Sequence, residues 1–523
     1  MGGDQTPGAA GGEASVATEG SRAGAAPVGD LGRTLRRGAV ISAGTLIVVQ
    51  LVSLAQTLVL ARILSPAEVG IFAAGTVLAG FLLTFSEGGL RNALVQRRDE
   101  LEDAANTVFW ASLCAGLLWA LTAAAAAPLV AWTFESTTAG LVAAASAGTI
   151  LLHALTNVPD SLMQRRFDFR QRMIVQPSVV ISFAVASVTL CSLGFGVWGL
   201  VIGTYVSHLV WILTTWGLAG WLPGRGRPSV RVWREMARFG APLVLGTVVD
   251  KGRDVFETTV VGSVMSATAL GHYRYGRRLA AVPGTAVIEI GSYVLFPAFS
   301  RIAGDAARLK SAFLRALRAL WCMAAPVAGF IVAVGEPAIV LLLGEPWRGA
   351  GVMFVALAGS GPGVAMAAVG LESIKGCGRT SLLNWVTGFA TVVGVGLLLV
   401  LLPFGLAGVG LALSITSFVS GLVSLLLARG LVGVSLRELG DRLIPPLAAT
   451  VLAAVGIGLV EHLVMHSDQR GTALGLVIVL CEGLGLLVIY VGALRVIAPA
   501  TLTELATAVR RMRESREQAP AAS

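Results

Sequence analysis

Fourteen apolar runs, none shorter than twenty residues, follow one another along this 523-residue chain. Each is long enough to cross the ~30 Å hydrocarbon core of a bilayer as a helix. They cover about 38–61, 69–90, 105–131, 136–162, 174–193, 196–221, 239–263, 278–299, 312–334, 349–374, 381–402, 407–428, 443–463 and 472–494. In lipid the backbone must satisfy its own hydrogen bonds, so runs of this kind fold as helices. The expected fold is an all-α polytopic membrane protein of about 14 transmembrane helices, and the even number places both termini on one side. Composition agrees: 13% of residues are charged, against about 25% in water-soluble domains.

The net charge of +9 would suit a nucleic-acid partner, but the placement of the basic residues points to topology instead. Of the 39 lysines and arginines, 31 fall in the termini and alternate loops assigned to the cytosol. Six, Arg62, Arg274, Arg277, Arg278, Arg348 and Arg470, fall in outer segments, and Lys251 and Arg253 lie within a span. Such a bias is the positive-inside signature, with the Arg274, Arg277 and Arg278 group as the dissent. No nucleic acid is expected.

Several enzyme classes are excluded. The only lysines, Lys251, Lys310 and Lys375, follow Asp250, Leu309 and Ile374, so there is no Gly-Lys-Ser/Thr phosphate loop. The eleven aspartates form no Asp-x-Asp pair, and no polar stretch is long enough for a catalytic domain. Cys114, Cys191, Cys322, Cys377 and Cys481 lack a C-x-x-C spacing and read as small core residues. No enzymatic activity, cofactor or metal is expected.

Residues 1–30, rich in Gly, Ala and Ser, read as a disordered cytosolic tail. An N-lobe follows over 31–222, a cytosolic amphipathic linker over 223–238, a C-lobe over 239–430, a helix pair over 431–498 and a cytosolic amphipathic tail over 499–523. In the linker region Val232, Trp233, Met236 and Phe239 share a helical face; in the tail Leu502, Leu505, Val509 and Met512 do so. Both stretches fit helices lying on anionic membrane lipids, or solvated connections.

The chain repeats itself at an offset of 201: Ser65 to Phe72 aligns with Ser266 to Tyr273, sharing the serine, the glycine and a closing aromatic. Six spans separate the copies, so both halves enter the membrane in the same direction, related by a pseudo-two-fold along its normal. The segments ARILSPAEVGIF, GLRNALVQRRD, VGSVMSATALGHYRYGRRL, VLFPAFSRI and LLLGEPW resemble the signatures of the polysaccharide transporter family. These are bacterial oligosaccharide and O-antigen-type flippases of the multidrug/oligosaccharidyl-lipid/polysaccharide exporter superfamily. The resemblance covers roughly 33–430 and implies two six-helix lobes around a central cavity, a C-terminal helix pair, and export of polyprenyl-diphosphate-linked oligosaccharide. It further implies the bacterial plasma membrane, with polysaccharide polymerase and glycosyltransferases as candidate partners.

Charges at membrane depth cost several kcal/mol, about 2.5–3.5 each on insertion scales, and mark candidate functional sites. The seventh span carries Asp250, Lys251, Arg253, Asp254 and Glu257. Helical spacing allows the pairs Asp250–Arg253, Lys251–Asp254 and Arg253–Glu257. The group is either a self-neutralising ladder or a wet cavity wall in which Arg253 and Lys251 attract a diphosphate. Because it sums to −1, further positive charge is needed, and Arg91 is the candidate. Gln50 and Gln56 align with Lys251 and Glu257 in the repeat, and either line the same cavity or hydrogen-bond between helices. Asp250, Asp254, Glu257 and Glu289 are candidates for binding a coupling ion. Together these point to a flippase; a cation-coupled multidrug antiporter of the same superfamily and a non-transporting scaffold of a polysaccharide assembly complex are the alternatives.

Overall fold

The computed structural model describes residues 28–504 and 507, except 88, 98, 167–168, 225 and 291–293, and their side chains except at 28–43, 87, 169–172, 242–243 and 285–290. The expected tail over 1–30 lies almost wholly outside the described residues, as do Leu505, Val509 and Met512. Among the described residues every regular element is helical. The N-terminal half holds α1 (Val28–Ile63), α2 (Pro66–Glu87), α3 (Leu90–Gln96), α4 (Leu101–Ala125), α5 (Ala127–Thr133), α6 (Thr137–Ala154), α7 (Asn157–Arg165), α8 (Phe169–Leu190) and α9 (Val197–Ala219). The second half holds α10 (Val230–Val264), α11 (Ala267–Ile290), α12 (Phe296–Ile302), α13 (Ala306–Leu343), α14 (Arg348–Ala356), α15 (Ser360–Gly376), α16 (Ser381–Leu401) and α17 (Gly405–Val432). A last pair, α18 (Leu436–Val460) and α19 (Thr472–Ile497), packs on α13.

Among the described residues, eleven stretches are apolar and long enough to cross a membrane. One of them, Ser381–Val432, contains both α16 and α17, broken by a tight turn at Leu402–Phe404. Helices α10 and α11 carry too many charges to qualify on composition, yet at 35 and 24 residues they too are long enough to cross. The sum is the fourteen crossings expected. Large apolar side chains stand exposed around the helices, among them Trp132, Leu213, Val392 and Val488, which suits a chain whose solvent is lipid.

Helix starts recur at the repeat offset. The Ser65 hydroxyl accepts from Glu68 N while the Glu68 carboxylate accepts from Ser65 N, a capping box that opens α2. Its equivalent, Ser266, accepts from Ala269 N and opens α11. The two helices then cross at these ends. A Cβ on Gly70 would lie 1.7 Å from the Ala267 carbonyl oxygen, and one on Gly271 would lie 1.9 Å from that of Pro66. The contact is reciprocal between positions 201 apart, as a two-fold relation requires, and only a residue without a side chain permits it. One turn deeper the equivalence continues: Gly75 packs on Ala139 and Val142 of α6, and Gly276 on Ala350 and Met353 of α14.

This crossing lies on the face away from the start of α1 and the end of α19, here called the far face. Two apolar clusters are shared by the halves there. One joins Ala73, Ala74 and Ala139 to Val261, Leu270, Tyr273 and Met353. The other joins Leu60, Leu64 and Val69 to Tyr275, Ile339 and Trp347. Polar clasps add to them: Trp347 Nε1 donates to Ala61 O at 2.7 Å, and Arg62 donates to Leu341 O at 2.6 Å and Leu342 O at 3.2 Å.

One expectation changes. The amphipathic stretch at 230–239 is the first part of α10, continuous with the seventh span. Val232 and Met236 are buried against Leu90, Leu94 and Trp221 of the N-terminal half, so its apolar face docks on protein, while Trp233 and Phe239 stay exposed. Glu235 on the polar side pairs with Arg231 at 3.1 Å and Arg97 at 3.3 Å, and these guanidiniums hold its carboxyl below the ordinary range.

Replacing Gly70 or Gly271 with valine should force α2 and α11 apart, at about 1–3 kcal/mol of overpacking strain each. On a cysteine-free background carrying Ala67→Cys, a membrane-impermeant thiol reagent should then label the far face faster. An unchanged labelling rate would contradict the crossing.

Candidate functional site

The charged residues of α10 meet a partner that sequence topology had assigned to an outer loop. Because α11 begins at Ala267, Arg277 lies ten residues along it, about 15 Å in at 1.5 Å per residue. Arg253 lies eleven residues from the far end of α10, about 16 Å in. Both therefore sit near the middle of a hydrocarbon core about 30 Å thick.

Glu257 is the hub, only 3% exposed. Its Oε2 accepts from Arg277 Nη1 at 2.8 Å and from the Tyr273 hydroxyl at 3.0 Å, and its Oε1 lies 3.3 Å from Arg253 Nε. Arg277 Nη1 also donates to Asp254 Oδ1 at 2.9 Å and to the Tyr273 oxygen. Two guanidiniums thus balance two carboxylates, which is how ionised groups persist away from water. The balance leaves donors unspent. Arg253 Nε is buried without a hydrogen-bond partner, and the Arg277 hydrogen bonds among the described residues all leave from Nη1.

These groups line a cavity of about 300 Å³. Arg253 and Glu257 come from α10, Arg277 from α11, Ser360 and Val364 from α15, and Thr416, Ser417 and Ser420 from α17. Hydroxyls face charge across an otherwise apolar chamber. Thr416 donates to Ala412 O and Ser417 to Ser360 O, so both hydroxyl oxygens can still accept a hydrogen bond. All the lining belongs to the second half of the chain, whereas a cavity shared by facing positions in both lobes was expected.

The other expected site residues are placed as follows. Asp250 and Lys251 are exposed and form no ion pair among the described residues; the expected Lys251–Asp254 pair is replaced by Arg277–Asp254. Arg91 is paired with Asp160 in the N-terminal half and does not supply the missing positive charge. Gln56 is buried, donating to Ser187 Oγ of α8 at 3.0 Å, and so takes the interhelical alternative. Gln50 borders a separate space of about 60 Å³ with Ser53, Thr57 and Arg278. Arg278 donates to Ser53 Oγ at 2.6 Å, tying α11 to α1. The Glu289 side chain lies outside the described residues. Sequence reasoning missed Arg277 and Tyr273. The available signal was the dissent in the charge bias, since an arginine that breaks the positive-inside pattern is a candidate for membrane depth rather than a loop.

Fold and site define a multi-pass helical membrane protein of two pseudo-symmetric lobes, with a balanced acid–base cluster on a mid-membrane chamber. The chain belongs to the family described as "Polysaccharide biosynthesis protein", which matches residues 59–351. It is 28% identical over 327 residues to the succinoglycan biosynthesis transport protein ExoT of Rhizobium meliloti, covering 62% of this chain and 66% of that one. To the lipopolysaccharide biosynthesis protein WzxC of Escherichia coli it is 25% identical over 318 residues, covering 60% and 63%. The chain thus spans slightly less than two thirds of the length of these relatives. Among solved structures it is similar in fold to the lipid II flippase MurJ in an inward closed conformation, with a TM-score of 0.71, 15% identity and coverage of 87% of this chain and 99% of that one. An inward-facing multidrug resistance MATE family transporter gives a TM-score of 0.62 at 17% identity, with coverage of 74% and 94%.

Arg277→Ala leaves Asp254 and Glu257 with Arg253 as their one remaining guanidinium and should lower stability, toward the lower end of the about 3–5 kcal/mol that follows loss of a buried ion-pair partner. Adding Glu257→Gln should restore part of that loss, because coupled residues do not add. Thermal unfolding of Arg277→Ala, Glu257→Gln and the double variant in detergent measures this; strict additivity would show that the pair is not coupled.

Proposed function

We propose that this chain moves a polyprenyl-diphosphate-linked oligosaccharide from the inner to the outer leaflet of a bacterial cell membrane by alternating access, for cell-surface polysaccharide biosynthesis, with both termini cytosolic. The observation that carries this reading is the pair Arg253 and Arg277 lining the mid-membrane cavity, with the hydrogen bonds of Arg277 among the described residues all leaving from Nη1. Guanidinium forks suit phosphate oxygens, since they donate two parallel hydrogen bonds. The Ser360, Thr416, Ser417 and Ser420 side chains supply partners for sugar hydroxyls, and the polyprenyl tail remains in lipid. The family and the names of the relatives support the cargo class.

The same pairs provide for energy coupling. An arriving diphosphate competes with Glu257 and Asp254 for Arg253 and Arg277. Carboxylates released from their arginines are uncompensated at membrane depth, and take up a cation to restore neutrality. Cation affinity then differs between loaded and empty states, and differential affinity is what lets an ion gradient drive a conformational change. Asp250, exposed beside them, is a further acceptor. The far-face crossing at Gly70 and Gly271 is the seam that parts to release the head group.

Arg253→Ala should abolish delivery of surface polysaccharide while folded protein stays in the membrane, and Arg253→Lys should restore a fraction of it. Normal delivery by the alanine variant would remove Arg253 from the head-group site. Glu257→Gln should retain head-group binding but lose dependence on the ion gradient; gradient dependence equal to that of the unaltered chain would exclude coupling through Glu257.

A further inference from the structure

The last helix pair buries two acids that the cavity does not use. Glu461, at the far end of α18, begins a π-helical turn, Glu461–Met465, a local widening of the kind often found at functional sites. It is 1% exposed. Its Oε1 accepts from the backbone N and the hydroxyl of Ser467 at 2.9 and 2.7 Å, while its Oε2 is buried without a partner. Glu482 on α19 is 6% exposed, and both of its oxygens are unpartnered. The two carboxyls are neighbours in the packing of α18 on α19.

Ionised carboxylates only accept hydrogen bonds, so two of them facing each other lack a donor. Nor is there a cation: among the described residues neither acid joins an ion pair. Packed against the same two helices, α13 contributes Ala333, Val334 and Leu341, all apolar. Its Glu336, with Asp468 of the following turn, is taken by Arg348 at 2.9 and 2.7 Å. Arg470 donates to Val464 O, and His462 and His466 are exposed.

We propose that Glu461 and Glu482 hold one proton between them, making the α18–α19 pair a proton-binding site separate from the cavity. The proton converts one facing acceptor into a donor and removes one of two like charges from a dry interface. A metal ion fits the site poorly. Hard cations such as calcium take about six to eight oxygen ligands, and no group of three or more acidic, histidine or cysteine side chains able to hold a metal is present among the described residues. Glu482 lies seven residues past Gly475, about 10 Å, and Gly475 packs on the Ser467 carbonyl. The site therefore exchanges its proton with the far face. This inference does not depend on the cargo of the chain.

Infrared spectroscopy of the full chain in lipid nanodiscs at neutral pH tests it. The unaltered chain should show the carbonyl stretch of a protonated carboxylic acid, and both Glu482→Gln and Glu461→Gln should lose it. Each glutamine supplies an amide donor, so both variants should keep the melting temperature of the unaltered chain, whereas Glu482→Ala should not. Absence of the band, its persistence in both glutamine variants, or failure of both to fold would overturn the proposal. So would stabilisation by sodium at fixed pH without the band.

Discussion

The reciprocal approach of Gly70 to Ala267 and Gly271 to Pro66 sets the geometry of everything beneath it. Apolar side chains gain little by leaving lipid for one another, so the halves of a membrane protein join through close backbone packing and buried polar contacts. Here both are concentrated on one face. The glycine crossing brings the backbones together, and Trp347 and Arg62 clasp the rim. Repetition at 201 residues makes the contact self-complementary, so each half supplies the same surface to the other.

That crossing also fixes where charge can go. Once α11 is anchored on α2, the run from Tyr273 to Arg278 descends along the seam between the lobes. Tyr275 stacks on Trp347, with ring centroids 4.3 Å apart, Arg278 reaches α1, and Arg277 enters the Glu257 cluster. A cluster of α10 residues that sums to −1 by itself becomes a four-membered network of zero charge once Arg277 joins Arg253, Asp254 and Glu257. Neutrality keeps the network stable away from water, and under the proposed function its two guanidiniums are the groups that meet the diphosphate. The segments around Ser65 to Phe72 and Ser266 to Arg278 therefore do more than turn the chain: they build the seam and deliver the second arginine.

The fourteen crossings, the parallel repeat and the charged seventh span were legible because bilayer thickness and the exclusion of charge from lipid are one-dimensional constraints, readable along a sequence. What a one-dimensional reading lacks is helix rotation and the true start of each helix. The eighth span was placed from residue 278, whereas α11 starts at Ala267, and that shift alone moved Arg277 from a loop to the chamber. Gln56 matches Glu257 in the repeat but turns toward Ser187, because equivalent helices need not present equivalent faces to the same neighbours. Arg91 failed as the missing cation because Asp160, sixty-nine residues away in sequence, had already claimed it.

The most direct test of the central claim is leaflet translocation in proteoliposomes. A polyprenyl-diphosphate-linked oligosaccharide would be loaded into one leaflet and its appearance in the other followed. If Arg253 and Arg277 receive the diphosphate, the purified chain transfers the lipid faster than protein-free vesicles, and an unlinked oligosaccharide is not carried. Transfer no faster than in protein-free vesicles, with the chain folded and inserted, would contradict the account.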